Sequence, residues 1–115
     1  MYEKPPILKL KEFDVTQKII EALSNVYTRA ILFSVRDEAK GVNQISTELE
    51  ISISSVYKIL THLEDLALVT VERFYVEDRK KVKMYRSRIG RVEIFMTGME
   101  PELMLYPNSE YRNGS

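Results

Sequence analysis

The stretch that most constrains this chain is residues 52–88, where an amphipathic helix passes directly into a cationic hairpin. Ser52 has the chemistry of a helix cap. Val56, Ile59, Leu60, Leu63 and Leu66 then recur at the i, i+3, i+4, i+7 spacing of a single helical face. The opposite face carries Ser54, Ser55, Tyr57, Lys58, Thr61 and Glu64 or Asp65. The apolar run Leu66-Ala67-Leu68-Val69 leads into residues 69–76, which are β-branched and aromatic and read as a strand. Residues 81–88 return antiparallel across the charged turn Glu77-Asp78-Arg79-Lys80-Lys81.

Small hydroxyl side chains on the first turns of a helix allow close approach to a DNA major groove. A basic hairpin one element later is placed to straddle the adjoining phosphates. The pattern predicts an α+β fold, a winged helix-turn-helix, with the helix over 52–66 and the wing over 72–86.

Bulk charge looks unhelpful to such a role, with 17 basic and 17 acidic residues among 115. The charge is unevenly placed, however. Residues 72–91 hold eight basic side chains against three acidic, a net of +5, whereas residues 92–115 carry a net of −3. Contact with a polyanion is local and salt screens distant charge, so a neutral chain with a basic stripe still suits nucleic acid. The absence of cysteine rules out disulfides and thiolate metal sites and fits a reducing cytoplasm; with His62 as the single histidine, no metal or cofactor is expected. The apolar runs are short and broken by charge, and Met1-Tyr2-Glu3-Lys4-Pro5-Pro6 lacks the core of a secretion signal. A cytoplasmic protein with no membrane contact is expected.

Elsewhere the chain reads as one domain with appendages. Residues 1–13 form an N-terminal arm in which Pro5-Pro6 opposes helix and Leu8-Lys9-Leu10-Lys11 alternates as an extended clasp would. Asp14 and Gln17 resemble a capping box that starts a helix at Val15. Ser24-Asn25 caps a second helix over 26–39, which Gly41 ends in a left-handed turn. Asn43 caps a third, over 44–49, with Ile45 and Leu49 inward. Residues 14–88 make up the DNA-binding domain. Residues 89–107 follow as a C-terminal extension: Val92, Ile94 and Met96 alternate with Glu93, Phe95 and Thr97, as in a second hairpin, with a helix over 92–99 as the alternative. Residues 108–115 read as a disordered tail.

The segment 19–87 resembles the arsenic-repressor-type (ArsR) winged-helix regulators. Ala22-Leu23-Ser24-Asn25-Val26-Tyr27-Thr28-Arg29-Ala30-Ile31-Leu32 is similar to their opening. Ile45-Ser46-Thr47-Glu48-Leu49-Glu50-Ile51-Ser52 is similar to their helix-turn, and Val56-Tyr57-Lys58-Ile59-Leu60-Thr61-His62-Leu63-Glu64-Asp65-Leu66-Ala67-Leu68-Val69 to their recognition helix and its exit. The Val-Tyr and Leu-Glu pairs are also similar to TrmB-type archaeal regulators. The resemblance implies a DNA-binding transcriptional regulator. This chain departs from the pattern at Glu50 and near Ala67, where glycine is usual, and at Ser46, where alanine is usual. It lacks the Cys and His clusters of the metal-sensing branch, so a metal-sensor role does not carry over.

The candidate DNA contacts are Gln44, Ser54, Ser55, Tyr57, Lys58, Thr61 and His62 on the helices, and Arg73, Arg79, Lys80, Lys81 and Lys83 on the wing. His62, next to Leu63, suits a half-buried structural place equally well, and Arg29 reads as structural. No Gly-rich phosphate loop or nucleophile–base set is present, so no enzyme is expected. Val92, Ile94, Phe95, Met96, Met99, Leu103, Met104, Leu105 and Tyr106 lie beyond the DNA-binding unit and would be costly left in water. They imply a twofold homodimer, or else a fold-back onto the first helix. A homodimer would place two recognition helices about one DNA turn apart on double-stranded DNA. A protein-docking winged-helix module is the alternative. The sequence neither supports nor excludes a small-molecule effector.

Overall fold

The computed structural model describes residues 7–109, with side chains from Val15 onward. Four helices precede four strands: α1 (Ile7–Leu23), α2 (Val26–Ser34), α3 (Val42–Leu49), α4 (Ile53–Asp65), β1 (Val69–Glu77), β2 (Lys80–Ser87), β3 (Ile89–Met96) and β4 (Pro101–Pro107). The strands form two separate antiparallel hairpins, β1 with β2 and β3 with β4. This is the expected α+β architecture, and the C-terminal extension is a hairpin rather than a helix.

Each helix begins or ends where local chemistry dictates. The Asn25 side chain accepts from the amides of Tyr27 and Thr28 at 2.8 and 3.2 Å and opens α2. Arg29 donates to the Leu23 carbonyl at 2.7 Å, satisfying an orphan acceptor at the end of α1. Ser52 caps α4 by accepting from the Ser55 amide at 3.2 Å. Val56, Leu60 and Leu63 on α4 are fully buried, together with Ile31, Leu32 and Val35 from the α2 region and Ile45 of α3. These side chains form one core under the turn between α3 and α4.

Several boundaries differ from the sequence expectations. α1 starts at Ile7, so residues 7–13 are helical rather than an extended arm, and Asp14 lies inside the helix rather than at its cap. Leu8, Lys9, Leu10 and Lys11 are all good helix formers, and the two-residue alternation was too short to outweigh that propensity. Residues 1–6 lie outside the described residues. α2 stops at Ser34 instead of residue 39 because the following backbone is claimed by the sheet. The Val35 carbonyl accepts from the Ser87 amide at 2.9 Å, and Lys40 bridges Tyr85 through two backbone bonds of 3.0 and 2.8 Å. Gly41 is the N-cap of α3 with φ −89°, not a left-handed terminator, and Asn43 lies within α3. What Gly41 supplies is room: a Cβ there would sit 3.0 Å from Val82 Cγ1 on the wing.

The tail assignment also changes. Asn108 is buried and donates to the carbonyls of Arg36 and Ser87 at 2.7 and 2.9 Å, so it belongs to the fold. Residues 110–115 lie outside the described residues.

Two positions where the resemblance leads one to expect glycine have left-handed backbones. Glu50 ends α3 with φ 57° and Ala67 leaves α4 with φ 62°. Ser46, in place of the usual alanine, donates its hydroxyl to the Ile51 carbonyl and closes the turn between α3 and α4. The wing turn, Asp78-Arg79, has φ 50° and 68°, the double left-handed geometry of a tight two-residue hairpin turn.

Candidate nucleic-acid interface

α4 shows solvent one coherent face because Val56, Leu60 and Leu63 are spent on the core, while Ile53 at its start stays exposed with the polar side chains. Ser54, Tyr57, Lys58, Thr61 and His62 line a single shallow depression, with Asp65 at its end. Tyr57 is 60 % exposed. His62 is exposed, so the half-buried role does not apply to it. The three serines at the helix start form a small hydroxyl cluster in which Ser52 donates to Ser55 Oγ at 2.8 Å. The helix start thus presents hydroxyl oxygens and free amides together, a combination that suits an anion. Lys58 has no ion-pair partner among the described residues.

The wing divides its charges between two faces. Side chains alternate along β2, so Lys81, Lys83 and Tyr85 share one face, and pairing adds Phe74 and Val76 from β1 to it. Tyr85 is buried, and its phenol is pushed above the ordinary tyrosine range by burial first, then by Glu64 and by Tyr57 of α4. Tyr85 packs in the core cluster with Val56, Leu60 and Leu63 of α4, so the wing face bearing Tyr85, Lys83 and Lys81 is the one turned toward α4. Lys81 Nζ lies 5.6 Å from the Phe74 ring, so a cation and an aromatic surface are interleaved there. Arg79 projects from the turn itself.

The other wing face carries Arg73, Tyr75 and Glu77 with Lys80, Val82 and Met84. Arg73 is held at 2.6 Å by Glu72, the extra residue of a bulge, and Glu72 also binds the buried Arg86 at 2.9 Å. Tyr75, Glu77, Val82 and Met84 line a cleft of about 330 Å³ with Gly41, Asn43 and Gln44. Gln44 donates to Glu48 at 3.1 Å, and Lys40 reaches the same carboxylate at 2.7 Å. Those bonds, with Lys40 first, hold the Glu48 carboxyl below its ordinary range.

The twelve candidate contacts thus separate by location. Ser54, Ser55, Tyr57, Lys58, Thr61 and His62 lie on α4, Lys81 and Lys83 lie on the wing face nearest it, and Arg79 lies in the wing turn. Gln44, Arg73 and Lys80 belong to the cleft side, and Gln44 and Arg73 are engaged with acidic partners. Two residues absent from the sequence-based set, Phe74 and Val76, are 56 % and 66 % exposed on the basic face. The signal was available: a two-stranded ribbon has no second sheet to cover it, so apolar residues on it must face water or a ligand.

Among the described residues, no helix is long and apolar enough to cross a membrane, and no cluster of acidic or histidine side chains is arranged to hold a metal.

No protein-family model matches the chain, and no curated protein matches it. Among solved structures, the chain is similar to NolR from Sinorhizobium fredii, with a TM-score of 0.59 and 20 % identity over 75 % of this chain and 81 % of that one. The four helices and two antiparallel hairpins match a winged-helix fold. At this identity the likeness is one of fold.

Proposed function

We propose that this protein is a sequence-specific, double-stranded DNA-binding transcriptional regulator of the ArsR-like kind, acting in the cytoplasm as a homodimer with no catalytic activity. What supports the reading is the exposed hydroxyl- and lysine-bearing face of α4 together with a wing face, Lys81 and Lys83, that continues from the Tyr85 side packed against α4. α4 enters the major groove with Ser54, Ser55, Tyr57, Lys58, Thr61 and His62 toward base edges and phosphates. Lys81, Lys83 and Arg79 neutralise the flanking backbone, with Phe74 and Val76 packed against sugars. Gln44, Arg73 and Lys80 take outer phosphates from the cleft side.

The fold likeness to NolR supports a regulator of this architecture. The ArsR-like assignment draws support from Glu50 and Ala67, whose left-handed backbones stand where that resemblance puts glycine. In a twofold dimer the two α4 helices face successive major grooves, and the site is a near-palindrome. Selection from random duplexes followed by gel-shift titration at physiological salt tests this. The expected result is a palindromic consensus whose preferred bases change when Lys58 or Ser55 is substituted.

The rival reading, a protein-docking module, has the exposed apolar C-terminal hairpin in its favour. It predicts no affinity for duplex DNA beyond that of a neutral protein.

A further inference from the structure

Past the end of α2, the chain and the base of the C-terminal hairpin border an open cavity of about 520 Å³. That volume lies in the range of small-molecule sites and exceeds that of the cleft beside the wing. Arg36 and Asp37 make one wall. Gly90, Arg91, Tyr106 and Pro107 of the hairpin make the other. The buried Asn108 joins the two, donating to the Arg36 carbonyl at 2.7 Å. The walls are therefore fixed relative to each other before anything binds.

A local irregularity shapes the hairpin wall. The register of β3 against β4 shifts between Ile89 and Arg91, so Gly90 is an extra residue in β3. A Cβ on Gly90 would stand 3.1 Å from the Pro107 carbonyl oxygen and 3.3 Å from the Asn108 Cα, so glycine lets the strands close here. The shift sets Arg91 opposite Tyr106, with its guanidinium 4.3 Å from the ring centroid. Stacking holds that planar fork in place on the cavity wall.

Charge indicates what the cavity takes. Two guanidinium groups and one carboxylate line it, a net charge of +1. A guanidinium has five N–H donors, and each of these meets a carboxylate at one nitrogen only. Arg36 Nε lies 3.3 Å from Asp37, and one Arg91 Nη lies 3.2 Å from Glu93. Both pairs are solvent-exposed and therefore weak, so their donors are open to exchange. Forked N–H groups match the paired oxygens of a carboxylate or phosphate group, and Tyr106 and Pro107 offer apolar contact beside them. We propose that this cavity binds a small organic acid, its carboxylate or phosphate group held by Arg36 and Arg91. The proposal is independent of the DNA-binding reading.

The test uses the full chain without DNA and two probes, inorganic phosphate and succinate, titrated at an ionic strength held constant with sodium chloride. Phosphate stabilises proteins generally, so binding is read from amide chemical shifts rather than from melting. Saturable shifts centred on Arg36, Gly90 and Arg91 are expected with at least one probe, and the probe that gives them names the oxyanion. Arg91→Lys keeps the charge and loses the fork, while Arg36→Gln loses the charge. Each is expected to weaken that probe's binding about tenfold, the worth of one charge-assisted hydrogen bond. Asp37→Asn removes the opposing carboxylate and is expected to tighten binding severalfold. All three side chains are exposed, so the variants keep the wild-type circular dichroism. Shifts that fail to saturate with either probe would overturn the site. So would equal affinity in the wild type, Arg91→Lys and Arg36→Gln, or an Asp37→Asn chain that binds no more tightly than the wild type.

Discussion

Arg86 and Asn108 donate to the same acceptor. The Nε–H of Arg86 and the side-chain amide of Asn108 reach the Arg36 carbonyl at 2.9 and 2.7 Å. This carbonyl lies just past the end of α2, where backbone acceptors lose their helical partners. One oxygen thereby joins the base of the wing, the end of α2 and the last turn of the C-terminal hairpin. Asn108 adds a bond to the Ser87 carbonyl at 2.9 Å, and Ser87 itself donates to Val35 at 2.9 Å. The two hairpins therefore do not hang independently from the helical core.

Asn108→Ala removes both buried bonds and leaves the Ser87 carbonyl without its side-chain donor. The expected loss is about 2 kcal/mol, seen as a fall of roughly 10 °C in the midpoint of thermal unfolding. A melting curve that overlays the wild type would show that the junction does not hold the hairpin in place.

Glu50 and Ala67 are non-glycine residues with left-handed backbones, at φ 57° and 62°. Glu50→Gly and Ala67→Gly relieve that strain, partly offset by glycine's greater freedom in the unfolded chain. Each is expected to raise stability by about 0.5–1 kcal/mol in urea titration. Ala67→Val, β-branched at the same φ, is expected to lower it. Destabilisation by both glycine variants would contradict the assigned backbone.

On the DNA-binding reading, the wing turn sets stability against binding. Arg79 has φ 68° in a turn where glycine is the favoured second residue. Arg79→Gly is expected to stabilise the fold by up to about 1 kcal/mol while weakening affinity for every DNA sequence tested. Parallel urea and gel-shift titrations check this, and a variant that both unfolds more easily and binds as well as wild type would refute it.

These strained positions also show what was legible beforehand. The core face of α4, the wing and the second hairpin follow from side-chain periodicity, and the structure places all three as expected. The boundaries of α1 and α2 do not. Residues 7–13 alternate too briefly for a two-residue period to be distinguished from a helical one. Residues 35–40 keep an apolar pattern compatible with helix, yet their backbone groups bond to β2, a long-range claim invisible in local sequence. The same limit applies to the candidate site. Residue type named the lysines and arginines of the wing, but which face each occupies depends on the strand register and the bulge at Glu72. Hence Lys83 and Arg73, alike in the sequence, lie on opposite faces.

Tyr85 makes the fold sensitive to alkali. Its phenol is raised above the ordinary value of 10.0, chiefly by burial. The unfolded chain ionises this tyrosine first. Its contribution is fully present below the unfolded value and is lost as pH rises through the folded one. Tyr85→Phe is expected to hold more of its neutral-pH stability above pH 10 than the wild type does, in denaturant titrations across that range. Identical pH profiles would place the phenol in open water.

The central claim is that α4 and one face of the wing form a single polyanion-binding surface, and the salt dependence of duplex binding tests it most directly. Each phosphate contact contributes about 0.9 to the slope of log affinity against log salt. Lys58→Ala, Lys81→Ala and Lys83→Ala together are expected to flatten that slope by about 2 to 3, and Arg73→Ala with Lys80→Ala, on the opposite wing face, by less than about 1. Equal slopes in the wild type and the triple variant, or a larger change from the Arg73 and Lys80 pair, would contradict the account.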